Sequence, residues 1–101
     1  MLLSNLSKVI RVNKTYNFNK NKYFSAITSN SKFTNNKTLF VYDKNTKVKK
    51  IYLDEVLKNK TPAIISNKYI NNLKIPQFVV SNINFEIYSL LNKLHNNLPF
   101  K

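Results

Sequence analysis

The sequence predicts an α+β fold, a small single domain in which a β-hairpin packs on a C-terminal amphipathic helix, preceded by a basic N-terminal extension. Three observations lead there. A chain of 101 residues fits one domain. The 43 % of hydrophobic and 13 % of aromatic residues supply one modest core. β-favouring runs in the middle then give way to a helical repeat at the end. Charge divides the chain further: residues 1–38 carry Lys8, Arg11, Lys14, Lys20, Lys22, Lys32 and Lys37 with no acid, whereas Asp43, Asp54, Glu55 and Glu86 all fall in residues 39–101. The expected organisation is therefore a basic extension over 1–38 and a small α+β domain over 39–101.

Each element has its own signal. Leu2, Leu3, Leu6, Val9 and Ile10 share one arc at helical spacing, with Ser4, Lys8 and Arg11 opposite, which predicts a short basic amphipathic helix over 2–12. From Tyr16 to Tyr23, aromatic or basic residues alternate with Asn, so an extended chain carries Tyr16, Phe18, Lys20 and Lys22 along one edge. Such a strip offers rings to single-stranded RNA bases and ammonium groups to phosphates; the plainer alternative is a solvated spacer.

Residues 38–42 and 47–53 are β-favouring, and Asp43, Lys44, Asn45 and Thr46 between them suit a turn, which predicts the hairpin. In that hairpin Leu39, Val41 and Val48 face the domain, while Phe40 and Tyr42 share the other face with Lys47 and Lys49. Lys44, Lys47, Lys49 and Lys50 then form a cationic tip suited to phosphate, although lysines also guard sheet edges against pairing.

Asp54 is placed to cap a short helix through Lys60, stopped by Pro62. Residues 63–73 fit a helical face through Ile64, Ile65, Tyr69, Ile70 and Leu73, against three Asn that disfavour helix. Phe78, Val79 and Val80 read as a short buried strand or an extended stretch. The last element is the clearest: Ile83, Ile87, Leu90, Leu91, Leu94 and Leu98 form a helical stripe, with Ser81 or Asn82 as N-cap, Glu86 in the first turn and Pro99 beyond the end.

Absent residues exclude chemistry. With no Gly, the phosphate-cradling loops of Walker and dinucleotide-binding motifs are missing. With no Cys, disulfides, thiolate metal sites and cysteine nucleophiles are missing too. Acid–base or metal chemistry would rest on four acids and His95, and Asp54 and Glu55 are adjacent, so on a helix they diverge by about 100°. The sequence therefore predicts no catalytic residues, no metal site, no cofactor and no enzyme. No apolar stretch approaches the roughly 20 residues that span a bilayer.

A net charge of +13 calls for a polyanionic partner, RNA or an anionic membrane. With Arg11 the sole arginine, salt-sensitive contacts from Lys to phosphate are expected in place of base reading. An AT-rich coding sequence also enriches Lys, Asn, Ile, Phe and Tyr. The first quarter of the chain, ending in Lys22, Tyr23, Phe24, Ser25 and Ala26, resembles a mitochondrial targeting presequence with its cleavage region, though nearly free of Arg. An uncleaved signal, synthesis inside the organelle, or a structural helix each fits that likeness.

By size, charge and residues 1–38, the chain resembles the small basic mitochondrial ribosomal proteins as a class. That resemblance implies a structural constituent of the mitochondrial ribosome. Its rRNA contacts would come from Arg11, Lys14, Tyr16, Phe18, Lys20, Lys22 and Tyr23 of the extension and from Lys44, Lys47, Lys49 and Lys50. Its partners would be rRNA and neighbouring ribosomal proteins, with no small-molecule substrate. The alternative is a small accessory subunit of an inner-membrane respiratory or ATP synthase complex.

Overall fold

The computed structural model describes residues 1–45 and 50–96. A five-stranded sheet organises them. Its strands are β1 (Lys14–Tyr16), β2 (Ala26–Thr28), β3 (Thr38–Tyr42), β4 (Ile64–Ser66) and β5 (Gln77–Val79), in the spatial order β1-β5-β4-β3-β2. β2, β3, β4 and β5 run parallel, with Ile27 beside Leu39, Phe40 beside Ile64 and Ile65 beside Phe78. β1 closes the other edge antiparallel to β5, Thr15 beside Phe78. Three helices complete the fold: the single turn α1 (Leu6–Val9), α2 (Lys50–Lys58) and α3 (Ile83–Asn96).

Alternation along the strands builds two cores. On one face Leu39, Ala63, Ile65, Phe78 and Val80 meet Leu3, Leu6 and Ile10 from the N-terminal turns, Phe24, and Ile83 and Leu90 of α3. On the other, Phe40 and Ile64 meet Val56 of α2 and Leu73 of the β4–β5 connection. Each parallel pair needs a crossover, and crossovers of one hand that step the same way across a sheet lie on one face. The β2–β3 crossover is tied to α2, where Ser31 donates its hydroxyl to Glu55 at 2.7 Å and Asn59 donates to Thr34 at 3.0 Å. α2 and residues 67–76 make the other two crossovers, leaving the opposite face to α1 and α3.

The mixed α and β content and the C-terminal helix agree with the sequence reading; the hairpin does not. Both sides of β3 are occupied by parallel neighbours, β2 and β4, so no antiparallel return strand fits beside it. Residues 50–53 instead begin α2, which lays half-buried Leu53 and fully buried Val56 over the sheet, while Ile51 stays exposed. Asp54 consequently lies inside that helix and caps nothing at its start. Residues 63–73 give a strand and a crossover in place of a helix; the short run Ala63, Ile64 and Ile65, buried on both faces, has no periodicity that tells strand from helix. Val48, Leu98 and Pro99 lie outside the described residues.

The division at residue 38 also fails. Leu3 and Leu6 are completely buried and Ile10 nearly so, and β1 and β2 are strands of the same sheet as β3. The amphipathic helix expected over 2–12 is a 3-10 turn, Leu3–Asn5, followed by α1; Leu3, Leu6 and Ile10 of its apolar arc are core, Val9 packs against them half-buried, and Leu2 is exposed. Phe24, expected beside a cleavage point, is fully buried, its N–H donating to the Met1 carbonyl at 2.8 Å. A radius of gyration of 12.7 Å matches the roughly 13 Å of one compact domain of about 100 residues.

Without Gly, the left-handed backbone positions among the described residues fall to Asn17, Lys60 and Asn72. Lys60 stands just past α2 at φ 59°, its N–H bonding the Leu57 carbonyl and that of Thr61 the Val56 carbonyl. This is the Schellman closure that a glycine ordinarily makes. At α3 the expected cap is present: the Asn82 side chain accepts from the Phe85 N–H at 3.2 Å. Glu86 is buried and binds the Arg11 backbone N–H at 3.0 Å, so it joins α3 to the segment after α1.

Candidate ligand-binding cleft

The parallel strands β2, β3, β4 and β5 all end on the same side of the sheet. A cleft of about 1010 Å³ lies there, at the ends of β2 and β3. Its polar wall is the turn Thr28, Ser29, Asn30, Ser31 and Lys32, with Asp43 just past β3. Its apolar wall comes from Ile27 and Val41 of the sheet and from Ile83, Ile87 and Leu91, one stripe of α3; Phe40, Tyr52 and Asn84 complete it.

Local chemistry shapes the polar wall. The Thr28 hydroxyl accepts from the Asn30 N–H at 3.1 Å, and the Asn30 side chain accepts from the Lys32 N–H at 3.0 Å, two side-chain turns in succession. They hold the exit of β2 in shape and leave Ser29 and Lys32 exposed. Across the cleft, Asp43 Oδ1 accepts from the Asn45 N–H and from the Asn67 side chain, each at 3.0 Å, while Asn67 Oδ1 accepts from the Lys44 N–H at 2.7 Å. Asn67 thereby ties the exit of β4 to that of β3. The Asn45 N–H, then the Asn67 amide, outweigh partial desolvation and hold the Asp43 carboxyl below its ordinary value. Among the residues lining the cleft, Asp43 is the acid and Lys32 the base.

The residues singled out for RNA are scattered. Tyr16 stacks on Tyr69 with ring centroids 4.3 Å apart, and Lys14 Nζ lies 5.1 Å from the Tyr16 centroid. Phe18 meets Phe78 edge-on at 5.8 Å. Two rings of the expected stacking strip are thus engaged with their own domain, because β1 is a strand of the sheet and no free arm. Arg11, Lys20, Lys22, Tyr23, Lys44 and Lys50 are exposed, and none of them lines the cleft. Lys47 and Lys49 lie outside the described residues.

The cleft residues carried only a faint sequence signal, a run of five small or polar residues after the β-favouring Ile27. Their role depends on a parallel sheet, which that run does not reveal. Among the described residues no cluster of His, Asp or Glu is arranged to hold a metal, and no helix is long and apolar enough to cross a membrane. No family model matches the chain, and no curated protein is detectably similar to it in sequence.

Proposed function

We propose that the chain is a ligand-binding domain whose cleft takes an anionic small molecule of about nucleotide size. The observation that carries this reading is the cleft itself, a concave site at the carboxyl ends of β2 and β3 with one apolar and one polar wall. Its volume of about 1010 Å³ stands at the upper end of small-ligand sites and accommodates a ring system together with a phosphate. Lys32, the hydroxyls of Thr28 and Ser29 and a net charge of +13 favour a negative group at the polar wall, and Ile83, Ile87 and Leu91 favour an apolar or planar moiety opposite. The resemblance to ribosomal proteins implied no small-molecule substrate; the cleft argues for a small-molecule ligand.

The test is a methyl and amide NMR titration with the four ribonucleoside 5′-monophosphates. Shifts confined to Ile27, Ile83, Ile87, Leu91 and the Thr28–Lys32 turn, weakened several-fold in Lys32→Ala, are expected. Absence of cleft shifts at millimolar nucleotide refutes the reading.

A second reading keeps the chain as an rRNA-binding constituent of the mitochondrial ribosome. It is favoured by the placement of the acids: among the described residues Asp43, Glu55 and Glu86 accept hydrogen bonds from neutral groups, and an external polyanion would answer the surplus of lysine charge. This reading expects RNA affinity that falls steeply with salt, and shifts at Lys20, Lys22 and Lys44 in place of the cleft. Salt-insensitive RNA association removes it.

A further inference from the structure

Resting on the cleft reading, we infer that Asp43 is its selectivity residue, accepting an N–H or O–H of the ligand through carboxylate oxygen Oδ2. Both described hydrogen bonds to this carboxylate arrive at Oδ1, from Asn45 and Asn67, and among the described residues no donor reaches Oδ2. The two bonds fix the plane of the group at the exit of β3, on the cleft wall. A carboxylate held through one oxygen, with no donor on the other among the described residues, is a strong acceptor for a neutral donor and repels an anion. Lys32, which follows the exit of β2, has the opposite preference. The pair gives the site a polarity: the negative group of the ligand goes to Lys32, and a hydroxyl or amino donor goes to Asp43. Anions that only accept hydrogen bonds gain nothing from Asp43, and are discriminated against.

Asp43→Asn tests this directly. The amide oxygen can keep the Oδ1 position and its two bonds, while the other atom changes from acceptor to donor. The probes are the ribonucleoside 5′-monophosphates, which carry donors, and sulfate, which carries none at neutral pH. Expected is a loss of nucleotide affinity of about tenfold, the usual scale for a hydrogen bond to a charged group, with sulfate affinity unchanged or raised. Preserved Asn45 and Asn67 amide shifts confirm that the turn is intact. Nucleotide affinity unchanged by the substitution, or lowered equally with that of sulfate, overturns the role of Asp43 while the cleft reading stands. Wild-type protein that shows no cleft shifts overturns both.

Discussion

Gln77 offers the sharpest test of how the parallel sheet is held. It sits in β5 between β1 and β4, is completely buried, and uses its side chain as a strand would use its backbone. Its amide oxygen accepts from the Ile70 N–H and its amide nitrogen donates to the Ile70 carbonyl, each at 2.9 Å. This pair pins the β4–β5 crossover onto the sheet. Gln77→Leu keeps the volume and removes both bonds. At about 0.5–1.5 kcal/mol net per bond, the pair is worth about 1–3 kcal/mol. Ile70 is half-buried, so water can reach the freed groups in part, and the expected cost is about 2 kcal/mol. For a domain of this size that lowers Tm by about 8–16 °C.

Equilibrium urea unfolding followed by circular dichroism measures the cost, and amide exchange at Ile70 locates it. Gln77→Glu adds a sign. Its carboxylate can still accept the Ile70 N–H but turns an oxygen toward the Ile70 carbonyl, so only the protonated acid restores both bonds. Burial and that carbonyl raise the folded-state pKa of the introduced acid, so stability is fullest below the ordinary glutamate value and declines as pH rises through the folded one. A Leu variant within about 0.5 kcal/mol of the parent, together with a pH-insensitive Glu variant, refutes the role given to Gln77.

Three further outcomes follow. Phe24→Ala is expected to destabilise the domain by about 3–5 kcal/mol in chemical denaturation, because the ring is fully buried in the main core; a change below about 1 kcal/mol would return residues 1–38 to the status of an extension. Lys60→Gly is expected to raise stability by about 0.5–1 kcal/mol, seen as a higher urea midpoint with unchanged m-value, since glycine relieves the left-handed strain at φ 59° and gives back part of that gain in chain entropy. The Asp43 carboxyl, held below its ordinary value of about 3.9, adds stability that is complete above that value and is lost as pH falls through the lower folded-state value. Acid titrations of stability for wild type and Asp43→Asn should therefore converge at low pH, separate as pH rises toward about 4 and hold a constant difference above it, and curves that stay parallel throughout count against the two hydrogen bonds.

Elements governed by neighbours a few residues away were legible in the chain. The helix after Asn82 was readable because its cap, its apolar spacing and its first-turn acid are local. Phe78 and Val79 were readable as a buried strand for a similar reason, as was the common face of Leu39 and Val41. The end of α2 ahead of Pro62 was also visible, although not the lysine that closes it, since left-handed backbone has no marker when the chain holds no Gly.

Pairing partners were another matter. Residues 50–53 have β-favouring side chains, yet they are helical, because β3 is flanked on both sides and the face carrying Phe40 and Ile64 needs cover from Val56. Tyr16 and Phe18 look like a free strip in one dimension and become packing groups once Tyr69 and Phe78 arrive from more than 50 residues away. The cleft is the extreme case: Lys32, Asp43 and Ile87 meet only because β2 and β3 are parallel and α3 returns over their face. Charge, length and local periodicity are sums over neighbours along the chain, so they survive in the sequence. Strand direction and the site it creates depend on contacts between distant segments, and these exist only when the chain has folded.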